Sequence, residues 1–284
     1  MKRNQWIIIG AVFLLTLGVY ALTQNEVFGS KIKKPAPEAA MQQEQTPSLS
    51  IDTILVHAKE GLSQDQQTRL SFLENSISRG DVKDQKEHLC HQLAQFWHDT
   101  ARKFEPYAWY TAEAARLENS EKTLTFAARL FLDGLRSQEE PSMKQWEAMQ
   151  AKDLFERSLK LNPENDSSKV GLGATYLFGG FASPMEGIQK IRDVVAKDPS
   201  NVYAQFTLGE ASLISQQIDK AIERYKKVLE LQPKHLEAIL RLGDIYAQKG
   251  DKAEAVRWYS KALPLMPVPE YRAEIEKRIE ELKK

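Results

Sequence analysis

The sequence predicts an all-α protein, a solenoid of antiparallel helical hairpins that stack along the chain. Two consecutive segments near the C-terminus repeat the same residues with a period of 34. Apolar residues in both segments recur with the periodicity of an amphipathic helix. The 14 Gly and 12 Pro residues fall mostly between the predicted helices, where such residues end one helix and allow a turn before the next.

The repeated positions carry an Ala, a Leu-Gly pair, a second Ala, a Tyr, a Leu and a Pro. They are Ala204 and Ala238, Leu208-Gly209 and Leu242-Gly243, Ala221 and Ala255, Tyr225 and Tyr259, Leu231 and Leu265, and Pro233 and Pro267. This pattern at this period resembles the tetratricopeptide repeat (TPR) family. The resemblance implies a right-handed TPR helical-hairpin solenoid that binds other proteins on its concave face, with no chemistry in the repeat itself.

The residues of one repeat account for its two helices. The polar turn at 215–217 is short, so the helices on either side of it must pack antiparallel. Gly209 is predicted at their closest approach, with the small side chain of Ala221 facing it. Pro233 cannot continue a helix and ends the second one. In the next repeat, Asp251 is the predicted N-cap of the second helix.

The repeat pattern becomes less regular towards the N-terminus. The predicted organisation is a cytoplasmic N-terminus over 1–5, a transmembrane signal-anchor helix over 6–22, a disordered linker over 23–50, a helical region with a degenerate TPR-like hairpin over 51–120, an expanded TPR-like repeat over 121–165, TPR repeats over 166–201, 202–235 and 236–269, and a C-terminal capping helix over 270–284. The expanded repeat is predicted to contain an enlarged connection around 137–142. The capping helix is predicted because charges of both signs surround one apolar edge, formed by Tyr271, Ile275, Ile279 and Leu282.

An uncharged apolar segment over 6–22 follows Lys2 and Arg3. Its length is at the short end of what crosses a bilayer, and it exceeds the usual core of a signal peptide. A retained anchor is therefore favoured, with a cleaved signal peptide as the alternative. We expect a single-pass protein of the bacterial inner membrane with its repeats on the periplasmic side, although the lysines that follow the segment oppose this orientation.

Composition and motifs exclude several functions. Basic and acidic residues number 39 each, so no net charge attracts nucleic acid. One cysteine, Cys90, excludes an intramolecular disulfide. His88, His91 and His98 lie near it but lack zinc-site spacing, and no catalytic motif or phosphate loop is recognisable. We therefore predict no catalytic residue, metal, cofactor or small-molecule substrate, and only a cryptic site within 51–120 would make the protein an enzyme.

The resemblance to TPR proteins also predicts a partner-binding surface on the first helix of each hairpin. The corresponding positions are Tyr203, Phe206, Glu210, Leu213, Glu237, Leu240, Asp244 and Ala247, with Arg241 alongside. All of these except Ala247 are predicted to bind the partner. Family members that hold a terminal carboxylate use Lys and Asn at such positions. Here the acids Glu210 and Asp244 stand at the Asn positions and would repel an anionic terminus.

The sequence therefore predicts a membrane-tethered, non-enzymatic TPR scaffold that holds a segment of another protein. An apolar segment with basic flanks would match the apolar floor and the acids of the predicted surface. An alternative role for Phe206 and Leu213 is simply to pack against the adjacent hairpin. The alternative function is an assembly factor that resembles the TPR subunits of cytochrome c maturation machinery and chaperones an unfolded client.

Overall fold

The computed structural model describes residues 49–79, 83–180 and 183–284, and within these ranges it contains thirteen α-helices and no strand. They are α1 (Ile51–Lys59), α2 (Gln64–Arg79), α3 (Lys83–Gln95), α4 (Phe104–Glu118), α5 (Glu121–Ser137), α6 (Pro141–Leu161), α7 (Asp166–Phe178), α8 (Pro184–Lys197), α9 (Val202–Ile214), α10 (Ile218–Leu231), α11 (Leu236–Gln248), α12 (Lys252–Ala262) and α13 (Pro269–Lys283). The predicted all-α class is thus confirmed for the described part of the chain.

The helices form successive hairpins that pack against their neighbours in the sequence. The pairs α3/α4, α5/α6, α7/α8, α9/α10 and α11/α12 make the most extensive contacts, and each pair also contacts the next. In the described residues this is the layered arrangement of a solenoid, where a hairpin buries its apolar face only against adjacent hairpins. The handedness of the solenoid stays a prediction.

Each closing proline is followed by the start of the next hairpin. Two residues after Pro163, Pro199 and Pro233 stand the N-cap residues of α7, α9 and α11, which are Asn165, Asn201 and His235. Their side chains accept hydrogen bonds from the backbone N–H groups of Ser168, Ala204 and Ala238. A cap that satisfies an otherwise unpaired N–H stabilises a helix start, so the same local signal sets the beginning of three consecutive hairpins.

Close packing within the two regular hairpins depends on a glycine and a tyrosine. A Cβ atom on Gly209 would lie 2.7 Å from Cε1 of Tyr225, and one on Gly243 would lie 2.6 Å from Cε1 of Tyr259. Such distances are too short for a side chain, so only glycine lets the ring lie flat against the helix. The atoms nearest to such a Cβ on Gly209 belong to the Tyr225 ring, and the prediction that Ala221 faces Gly209 stays a prediction.

The expanded repeat differs from the prediction in where its extra residues lie. The connection between α5 and α6 is only 138–140, and α6 is 21 residues long. Glu140 caps α6, accepting hydrogen bonds from the N–H groups of Ser142 and Met143, and Pro141 occupies its first turn. Because these residues start the helix early, the additional length of the repeat extends α6 instead of enlarging the loop.

The predictions for the N-terminal segments and for the C-terminal helix have different outcomes. The segments 1–5 and 6–22 and most of the linker 23–50 lie outside the described residues. Among the helices that the structure describes, none is sufficiently long and apolar to span a bilayer. At the other end, α13 packs on α12 and buries Ile275 and Ile279, whereas Tyr271 is 62 % exposed and does not share the buried edge as predicted.

Candidate protein-binding groove

The first helices of the hairpins line a groove of three adjoining cavities. The first cavity, of about 480 Å³, is lined by Arg129, Asp133, Arg136, Ser167, Asn201, Val202, Tyr203, Phe206, Gln232, His235 and Glu237. The central cavity, of about 390 Å³, is lined by Arg136, Phe178, Phe206, Glu210, Glu237, Leu240, Arg241 and Asp244. The last cavity, of about 470 Å³, is lined by Leu213, Arg241, Asp244, Ile245, Ala247, Gln248 and Arg278.

These cavities form one continuous surface because neighbouring cavities share side chains. Arg136, Phe206 and Glu237 line both the first and the central cavity. Arg241 and Asp244 line both the central and the last cavity. All eight residues that the sequence predicts for partner binding lie in this groove, which contains side chains of α5, α7, α9, α11 and α13.

Glu210 lies at the centre of the groove but is not available as a free acid. Its side chain is 7 % exposed, and Oε2 lies 3.0 Å from Nη2 of Arg136 on α5. Arg241 on α11 approaches the other oxygen at 3.8 Å. Burial raises the pKa of Glu210, whereas the two guanidinium groups lower it. The carboxylate therefore joins three helices across the groove and is matched by cations of the chain itself.

Asp244 is engaged in a similar way. It accepts a 2.6 Å hydrogen bond from the hydroxyl of Tyr259 and a 2.9 Å bond from Nη1 of Arg278. Because Tyr259 lies on α12 and Arg278 on α13, Asp244 connects the last hairpin to the helix that covers it. Charge-assisted bonds of this kind are stronger than neutral ones, so this acid too serves the fold.

The apolar residues of the groove differ in how much surface they offer. Phe206 is 4 % exposed, stacks on the His235 ring at 5.1 Å and tilts against Tyr225 at 5.4 Å. Its environment agrees with the alternative interpretation of a packing residue. Leu213 and Leu240 are only partly buried, so they present apolar surface along the central and last cavities.

The first cavity contains groups that the sequence did not single out. Asp133 and Arg129 lie on α5, and both are exposed at the surface. The guanidinium of Arg129 lies 5.5 Å from the centre of the Tyr203 ring, a distance typical of a cation–π contact. Partial desolvation at the cavity wall raises the pKa of Asp133, Arg136 and Arg129 lower it, and Glu237 raises it. The repeat pattern does not point to Asp133, because the residue lies on α5 and lines this cavity together with residues of helices distant in the sequence.

The histidines and the cysteine of α3 and the following π-helical turn form no compact tetrahedral site with one another. Burial raises the pKa of the Cys90 thiol to about 11, which leaves it protonated. His91 instead approaches Glu87 and Glu118, with the three potential ligand atoms within 4.8 Å of one another. Since His91 and Glu118 are exposed to solvent, we do not assign a metal to this group.

Comparisons with known proteins agree with the hairpin arrangement. A family model described as tetratricopeptide repeat matches residues 212–274, and no curated protein matches the chain. The crystal structure of TTC0263, a thermophilic TPR protein in Thermus thermophilus, shares 17 % identity over 69 % of this chain and 98 % of its own, with a TM-score of 0.52. This likeness concerns the fold alone.

Two further solved structures are similar at lower TM-scores. MamA from Desulfovibrio magneticus RS-1 shares 24 % identity over 66 % of this chain and 96 % of its own, with a TM-score of 0.43. The TPR protein YrrB shares 18 % identity over 72 % of this chain and 97 % of its own, with a TM-score of 0.40. The 34-residue pattern and its glycine–tyrosine packing agree with the family match, so residues 212–274 are similar to tetratricopeptide repeats.

Proposed function

We propose that this protein is a non-enzymatic scaffold that holds a polypeptide segment of another protein in the groove. The continuous run of three cavities along the first helices supports the proposal most directly. Tetratricopeptide repeats bind partners on such extended concave surfaces. YrrB, one of the similar structures, is described as a TPR protein with an unusual peptide-binding site.

The side chains of the groove suit an extended segment with apolar side chains. The half-buried Leu213 and Leu240 offer apolar contacts in adjoining cavities. Charged groups at the rim would contribute more to specificity and association rate than to affinity. Because Glu210 and Asp244 are matched by arginines of the chain, the predicted preference for basic flanks requires other acids of the groove.

Site-specific photo-cross-linking in cells tests the proposal. A benzoylphenylalanine at position 240 lies in the central cavity, and one at Met185, which is 66 % exposed on the second helix α8, is the matched control. We expect a discrete protein adduct from position 240 and none of the same kind from position 185. Equal adducts from both positions, or none from either, would contradict binding in the groove.

The same experiment separates a scaffold from a chaperone. A scaffold gives one or a few stoichiometric adducts at position 240. A factor that chaperones unfolded clients, as in the alternative function, gives many unrelated adducts at that position because unfolded chains share only general chemistry.

Membrane attachment is a further part of the proposal, and it rests on the sequence. The uncharged segment 6–22 would be the anchor, and a flexible linker of this length would hold the repeats roughly 30 Å from it on average. A cysteine at Ser48 tests the orientation, with the native chain as control because Cys90 is buried. We expect an impermeant thiol reagent to label intact cells, and labelling only after lysis would place the repeats in the cytoplasm.

A further inference from the structure

We propose that the first cavity of the groove recognises a lysine or arginine side chain of the bound segment, with Asp133 and Glu237 as its acceptors. This inference rests on the proposed function, because it assigns partner chemistry to one part of the same groove. The acids Glu210 and Asp244, which the sequence predicts to face the basic flanks of the segment, are replaced in this role by Asp133 and Glu237. Of these two, Asp133 lies outside the repeat pattern.

The geometry of the cavity brings the two acids together. Asp133 lies near the end of α5 and Glu237 in the first turn of α11, and both line the cavity of about 480 Å³. Both side chains are exposed, and within the described residues neither forms an ion pair. They are therefore the acids of the groove that a partner can reach.

Arg129 and Arg136 line the same cavity as the two acids, but among the described residues neither forms an ion pair with Asp133 or Glu237. Arg136 is held at 3.0 Å from Glu210. Arg129 is four residues before Asp133 on the same helix, yet its guanidinium lies over the Tyr203 ring. Asp133 and Glu237 line the same cavity, and two like charges in one cavity repel each other. An incoming ammonium or guanidinium group would remove this repulsion.

The walls of the cavity suit the stem of a basic side chain. The partly buried Tyr203 and Val202 give an apolar surface next to the two acids, and long cationic side chains bury their methylene groups on such surfaces while the charge stays at a polar site. Asn201 and Gln232 line the same cavity and supply amide groups for the backbone of an extended segment. Recognition thus combines charge with an apolar stem, which an acidic or purely apolar side chain would not match.

Peptide pools with one fixed residue provide the test. We would measure binding of three pools of fluorescent random octapeptides, fixed centrally as lysine, norleucine or glutamate, to the full chain by fluorescence polarisation. We expect the lysine pool to bind about tenfold more tightly than the norleucine pool, and the glutamate pool to bind least. The preference should decrease as salt rises, since the acids are exposed.

Matched variants assign the preference to the two acids. We expect Asp133→Asn with Glu237→Gln to reduce lysine binding to the level of norleucine, without changing norleucine binding or thermal unfolding. Glu281→Gln, an exposed acid that lines none of the three cavities, should leave the preference intact.

The outcomes separate this inference from the function on which it rests. Absence of binding by every pool would contradict the proposed groove function itself. Binding without a lysine preference, or a preference that survives the double variant, would contradict the assignment of Asp133 and Glu237 as acceptors. Binding of the segment in the groove would still stand.

Discussion

The hairpins α9/α10 and α11/α12 carry the same residues at equivalent positions, yet the hydroxyl groups of their tyrosines have different environments. Tyr225 and Tyr259 both lie over a glycine and are fully buried. The hydroxyl of Tyr259 donates to Asp244, whereas that of Tyr225 has no hydrogen-bond partner among the described residues. Glu210 stands at the position equivalent to Asp244, but it faces Arg136 instead. The apolar contact between tyrosine and glycine is thus the same in both hairpins. The polar contacts differ, because they depend on the side chains that neighbouring helices supply.

The largest expected effect concerns the apolar part that the two hairpins share. Replacing Tyr225 with Ala removes a fully buried ring and leaves a cavity above Gly209, which should lower the free energy of unfolding by about 4 kcal/mol. Tyr259→Ala should have an effect of similar size. Urea unfolding of the full chain measures both changes, and Tyr271→Ala serves as the exposed control at 62 % exposure. A loss below about 1 kcal/mol at Tyr225 would contradict the shared packing role.

The second prediction extends the comparison to the less regular hairpin α5/α6. A Cβ atom on Gly134 would meet Phe104 and the carboxyl group of Glu147, so a buried acid fills the space that tyrosines fill elsewhere. Burial and the nearby Glu105 raise the pKa of Glu147 to about 7. A hydrogen bond with Gln138 lowers this pKa in part, but among the described residues Glu147 has no ion-pair partner and its Oε2 accepts no hydrogen bond. Ionisation of this group therefore costs folding free energy.

The sign of the pH dependence follows from the raised pKa. The contribution of Glu147 is most favourable below its ordinary pKa of 4.5 and is lost as the pH rises from there through about 7. Glu147→Gln should therefore stabilise the protein at pH 8 by about 3 kcal/mol and change little at pH 4. Thermal unfolding of both proteins across this range measures the effect. Parallel pH profiles would contradict it.

How far the sequence could predict this structure depends on whether a feature is local. The turn at 215–217 and the N-cap Asp251 are determined by adjacent residues, and both are observed. The eight predicted groove residues line one surface because they sit at fixed offsets on the first helices. The partners of the groove acids could not be predicted, since Arg136 comes from a helix two hairpins earlier.

The third prediction concerns the polar part of the last hairpin. Tyr259→Phe keeps the ring over Gly243 but removes the donor to Asp244. Because this hydrogen bond has a charged acceptor, we expect a loss of about 1.5 kcal/mol. Arg278 also binds Asp244, so in the Arg278→Gln background the acid depends on the tyrosine alone and the loss should be larger. A double-mutant cycle measures this coupling, and additive effects would show that Asp244 does not join the two groups.

The smallest expected effect is the matched substitution in the preceding hairpin. Tyr225→Phe removes a hydroxyl that is buried without a hydrogen-bond partner in the part of the chain that the structure describes. Burial of an unpaired polar group is unfavourable, so its removal should leave stability within about 0.5 kcal/mol of the native value or increase it. The same urea unfolding experiment compares Tyr225→Phe with Tyr259→Phe. Equal losses at the two positions would mean that the Tyr225 hydroxyl also has a partner, and that the polar contacts of the two hairpins are repeated after all.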